Sequence, residues 1–107
     1  YSAFIGDSFV GAFMVIRNTD MDSDIHLLLL PTAVKYYRDL CVLVINEVFL
    51  TAHRVTAKIY GHLKTIQNLV KKLGFTHEGT MREVCIVDGK ITDIEIYGLI
   101  KTDWRLL

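Results

Sequence analysis

Few residues in this chain have the type and spacing to do chemistry. The four histidines, His26, His53, His62 and His77, show neither His-x-x-x-His nor His/Cys spacing, so the pattern gives no metal site. Cys41 falls on an apolar stripe of helical period, where a thiol packs as a small hydrophobe; a catalytic thiolate needs an electropositive setting. No nucleophile elbow, P-loop or dinucleotide glycine fingerprint occurs. One combination stands out: a strand, the basic turn Lys35-Tyr36-Tyr37-Arg38, then a helix. A helix N-terminus carrying two cations suits a phosphate or pyrophosphate. The plainer alternative is a helix start with solvated charges.

The elements that must position these residues follow from periodicity. Residues 1–5 and 9–17 are aromatic and β-branched runs around the turn Gly6-Asp7-Ser8, which predicts a hairpin. Residues 24–30 predict a third strand, apolar on both faces at 27–30, that Pro31 ends. From 34 to 50 the apolar residues Val34, Tyr37, Leu40, Cys41, Val44 and Val48 recur at three- and four-residue steps, which predicts a deeply packed helix. Residues 54–60 alternate as a strand, and 63–73 read as an amphipathic helix with Lys71 and Lys72 in its last turn and Gly74 as a left-handed cap. The rest predicts a long hairpin, 75–87 and 91–100, turning at Asp88-Gly89-Lys90, with Ile94, Ile96 and Leu99 on its buried side. This order makes an α/β domain with helices packed on one mixed sheet.

Composition narrows the function classes. The 107 residues, 51% hydrophobic, suffice for one domain, 1–107, and not two. Twelve basic residues balance 12 acidic ones, so the chain lacks the basic excess of a nucleic-acid binder and any anion site must be local. The apolar runs 27–30 and 40–45 fall far short of the roughly 18–20 residues of a membrane span, and no signal peptide is visible. Tyr1 is not an initiator Met, which leaves a preceding segment open. Cys41 and Cys85 have no Cys-x-x-Cys spacing and read as reduced thiols of a cytoplasmic protein.

The stretch Lys71-Lys72-Leu73-Gly74-Phe75, followed by Glu78-Gly79 and Arg82, and later by Asp93, Tyr97 and Asp103-Trp104, resembles the GNAT superfamily of N-acetyltransferases. By motif the resemblance covers residues 63–104, and by element order the whole chain. It implies a GNAT-like mixed sheet lacking the usual first strand and first two helices, and acetyl transfer from acetyl-CoA to a primary amine acceptor. It also implies that acetyl-CoA lies where strands 24–30 and 54–60 splay apart. The backbone of Leu28 and Leu30 would then pair with the pantetheine arm, and Lys35, Tyr37 and Arg38 would sit at the pyrophosphate. Substitute groups for the chemistry are Tyr60, which would protonate the leaving thiolate or else serve in ordinary packing, and His26, which shares a strand face with Asp24 and would act as base. Lys64 and Thr65, near the second helix start, would touch the cofactor or else form a solvated surface.

The chain departs from that family at its phosphate loop. The family pattern is Gln/Arg-x-x-Gly-x-Gly/Ala, whereas Lys35-Tyr36-Tyr37-Arg38-Asp39-Leu40 has no glycine and adds a carboxylate. Leu63 and Val70 stand where the family often has an asparagine and an acid-donating tyrosine. A similar glycine-free, basic and aromatic loop occurs in GNAT-like proteins of tailed phages, some of them virion components. The alternative expectation is therefore a catalytically inactive GNAT-like scaffold or phage structural protein, in host cytoplasm or virion. Because the chain opens on what reads as the family's second strand, it is expected to be either shortened or completed by a homodimer partner.

Overall fold

The computed structural model describes residues 2–5, 8–29 and 31–105, with side chains at 11–26 and 34–105. Strands β1 (Ser2–Ile5), β2 (Ser8–Arg17) and β3 (Asp22–Leu29) form an antiparallel meander. A 3₁₀ helix (Pro31–Tyr36) runs directly into α1 (Tyr37–Val48). Next come β4 (Arg54–Tyr60), α2 (Lys64–Leu73), β5 (Thr76–Val87), β6 (Lys90–Ile100) and a 3₁₀ turn (Lys101–Asp103). The sheet order is β1-β2-β3-β4-β6-β5, with β3 and β4 parallel and the other neighbours antiparallel.

Strand parity puts both helices on one face. Val55, Ala57 and Ile59 of β4 and Tyr97 and Leu99 of β6 are buried against Cys41, Val44, Ile45 and Val48 of α1 and Val70 and Leu73 of α2. The expected burial of Ile94 and Ile96 is corrected: they differ in parity from Leu99, lie on the opposite face and are only half-buried. Tyr97 is the core residue instead, its hydroxyl donating to Gln67 Oε1 at 2.8 Å. Gln67 Nε2 in turn donates to the carbonyls of Gly61, at 3.0 Å, and Tyr60, at 3.3 Å, fixing the β4–α2 turn.

Most predicted elements form, with shifted ends. The helix expected from 34 to 50 is split: Val34 and Lys35 belong to the 3₁₀ helix, and α1 begins at Tyr37. Nor is α1 buried all round, since Leu43 is exposed. Gly74 caps α2 at φ 108°. Asp88 and Gly89 both have positive φ, as a two-residue type I′ hairpin requires. The expected turn at Gly6-Asp7 lies outside the described residues.

On the face away from the helices, Arg54 of β4 reaches across β6 to Glu78, which sits at a register shift in β5 between His77 and Gly79. The pair passes directly over Gly98, where a Cβ would collide with both the guanidinium and the carboxylate. Gly98→Ala is expected to displace this ion pair and cost no more than about 1 kcal/mol, since the added Cβ meets only the flexible ends of two partly exposed side chains. Urea denaturation monitored at Trp104 checks this.

Candidate functional site

Four residue pairs hold β3 and β4 together: Asp22 with Arg54, Ser23 with Val55, Asp24 with Thr56 and Ile25 with Ala57. The next step, His26 with Lys58, is unpaired, although both strands continue. Beyond this point β3 pairs only with β2, through His26 to Leu29, and β4 only with β6, through Lys58 to Tyr60. A strand offers backbone groups to both sides, so among the described residues the β4-facing groups of 26–29 have no partner strand.

The divergence opens a cleft of about 540 Å³. On the helix side its walls are Tyr37, Cys41 and Ile45 of α1, Ile66 and Val70 of α2, Leu63 and Phe75. On the open side the parity of the strands brings in His26, Lys58 and Tyr60. The cleft is thus an apolar slot through the sheet with a polar rim. An extended, amide-bearing ligand in it could add to β3 as a strand would.

Below the divergence point the two strands are bound by charge as well as by the ladder. Thr56 donates its hydroxyl proton to Asp22 Oδ1 at 2.7 Å, and Arg54 Nε lies 3.2 Å from Thr56 Oγ1 and 3.5 Å from Asp22. Arg54 also makes a two-pronged contact with Glu78. These hydrogen bonds hold the Glu78 carboxyl below its usual range and raise the Arg54 guanidinium above its own. At the vertex, Asp24 accepts from Asn18 Nδ2 at 2.5 Å, and its other oxygen lies 3.4 Å from Lys58 Nζ and 4.0 Å from His26 Nε2.

The structure brings only some of the expected site residues together. His26, Tyr37 and Tyr60 line the cleft. The Tyr60 ring stacks on His62 with centroids 6.0 Å apart. Leu28 pairs with Ala12 of β2, and Leu30 lies outside the described residues. The basic turn is replaced by the 3₁₀ helix, whose i→i+3 bonds engage amides that a glycine loop would leave to a phosphate. Lys35 and Arg38 are exposed, with Lys35 Nζ 5.1 Å from the Tyr36 ring centre. Lys64 lines a separate depression with His62 and Asp93, and Thr65 is exposed in the first turn of α2. Sequence reasoning missed Lys58, whose alternating strand position and the apposition of Asp24 become visible only with the β3–β4 register.

Cys41 is a free, buried thiol whose pKa burial pushes up to about 11. Glu95 is held below the usual carboxylate range by the Thr80 hydroxyl and then by His77, whose Nε2 lies 2.7 Å away. Among the described residues no three His, Cys, Asp or Glu side chains gather as a metal site, and no helix is long and apolar enough to cross a membrane.

No family model and no curated protein matches the sequence. The fold, however, matches solved acetyltransferases closely. A mutant of the spermidine N-acetyltransferase SpeG from Vibrio cholerae superposes with a TM-score of 0.82 at 14% identity, covering 94% of this chain and 64% of that one. A GNAT-family acetyltransferase from Bacillus anthracis superposes at 0.78 and 17% identity, covering 92% of this chain and 63% of that one. The chain thus has the GNAT fold and spans less than two thirds of the length of these neighbours.

Two outcomes follow from the geometry. Because the Glu78 pKa is depressed in the folded state, its stabilisation is full above the ordinary carboxylate value of about 4.3 and drains as pH falls through the lower folded value. Glu78→Gln should therefore flatten the loss of Tm between about pH 5 and pH 3. In native chain at pH 8, Ellman's reagent should label half-buried Cys85 first and Cys41 only on unfolding.

Proposed function

We propose that this chain carries the acyl-donor site of an N-acetyltransferase, which moves an acetyl group from acetyl-CoA to a primary amine. The single observation that carries this reading is the early end of the β3–β4 pairing at Ile25 and Ala57 beside an apolar slot. The pantetheine arm carries amides along an extended chain, so it can pair with the unpartnered backbone of β3 at residues 26–29, including Leu28, while its methylenes contact Cys41, Ile66 and Val70. Lys35 and Arg38, exposed around the start of α1, are the cations on hand for the pyrophosphate. They would act as side chains, since the 3₁₀ helix presents no glycine cradle.

The transfer itself is an attack by the neutral acceptor nitrogen on the thioester carbon. His26, on the polar rim, takes the amine proton, and Tyr60, on β4, gives a proton to the leaving thiolate. Two cleft-lining groups on opposite strands suit these opposite roles, because each can reach the slot from its own side. The acceptor is a primary amine; nothing in the described residues selects among such amines, and the neighbours extend beyond the length of this chain.

A non-catalytic scaffold is the second reading. It is favoured by the engaged amides of the 3₁₀ helix and by Asp39 in the first turn of α1, which repels a phosphate. Calorimetric titration with acetyl-CoA separates the two. The transferase reading expects micromolar binding that weakens at least about tenfold when Lys35 and Arg38 are both changed to Ala. An absence of heat at millimolar acetyl-CoA would refute it and leave the scaffold.

A further inference from the structure

Among the described residues, Lys58 is the one lysine lining the cleft. It occupies the first position of β4 that no longer pairs with β3, and its Nζ is held 3.4 Å from Asp24 Oδ2. Asp24 itself is nearly buried, at 6% exposure, and is fixed by Asn18. The Lys58 side chain is 41% exposed, and this contact with Asp24 holds its primary alkyl amine at the apex of the slot. Resting on the transferase reading above, we propose that Lys58 is a self-acetylation site, the chain's own amine taking the acetyl group from the donor bound in its cleft.

The chemistry is the same as that for an outside amine, with the acceptor already tethered. Lys58 Nζ gives up one proton to the His26 imidazole, which shares Asp24 Oδ2 with it at 4.0 Å, or to water. The freed lone pair forms an N–C bond to the acyl carbon. The C–S bond breaks with its electron pair on sulfur, and a second Nζ proton ends on the thiolate. The products are free CoA thiol and a neutral Nζ-acetyl amide. Tethering raises the local amine concentration far above that of any lysine in solution. Modification also removes the cation from Asp24 and fills the apex with an acyl group, so it closes the slot to outside amines.

The test incubates the full chain with acetyl-CoA, maps acetylated peptides over time by mass spectrometry, and measures acetyl-CoA binding calorimetrically on the same sample. Lys58 is expected to be acetylated at least about tenfold faster than Lys71, Lys72 and Lys101, which are exposed as Lys58 is but do not line the cleft, at a rate independent of protein concentration. The preference should vanish in urea, which reports the chemical background on the unfolded chain. Donor binding with Lys58 labelled no faster than the surface lysines would overturn this proposal alone. An absence of binding would overturn both it and the transferase reading.

Discussion

Everything distinctive about this fold depends on where one parallel β ladder stops. Parallel strands joined through a helix normally pair along their length, because each unpaired buried amide or carbonyl costs about the desolvation of a polar group. Here the ladder between β3 and β4 ends after Ile25 and Ala57 while the strands continue. The outer neighbours keep their pairing, so the sheet is not frayed; it is opened at its centre.

The charged cluster below the gap explains why the opening stays in register. Asp22, Thr56, Arg54 and Glu78 tie β3, β4 and β5 together on the face without helices, with Gly98 giving the Arg54–Glu78 pair room to cross β6. Asp24, gripped by Asn18, ends this cluster at the vertex. On the other face the core of α1 and α2 packs against the odd residues of β4, with Val44, Ile45 and Val55 almost wholly buried. One face is locked by charge and the other by apolar packing, and between them the slot is bounded on both sides. The placement of His26 and Lys58 on the polar side follows from strand parity, and that of Cys41 and Ile66 on the apolar side from the faces α1 and α2 turn to the sheet.

Much of this was legible in the sequence. The strand at 54–60, the amphipathic α2 with its Gly74 cap, and the Asp88-Gly89 hairpin each carry strong local signals, and each forms where those signals place it. The stretch after Pro31 was less readable: the apolar steps from Val34 look the same for a 3₁₀ turn and an α-helix, and no cap residue marks the boundary at Tyr36. Hydrophobicity alone groups Ile94 and Ile96 with Leu99, whereas strand parity puts them on the opposite face. The site divides in the same way. Tyr60 ends a strand that the pattern fixes and His26 lies within another, and both reach the cleft, as does Tyr37 at the less readable start of α1. Lys64 does not, because the rotation of α2 is set by Gln67 and Tyr97, a long-range contact that no local pattern encodes. Lys58 was hidden for the same reason, since its importance depends on which residue of β3 stands opposite.

The central claim concerns backbone groups, and hydrogen exchange reads them directly. In the free chain, amides in residues 26–29 should exchange faster than those in residues 22–25 of the same strand, and acetyl-CoA should slow them while leaving residues 22–25 unchanged. Equal protection of the two segments without ligand, or no slowing at saturating acetyl-CoA, would contradict the account.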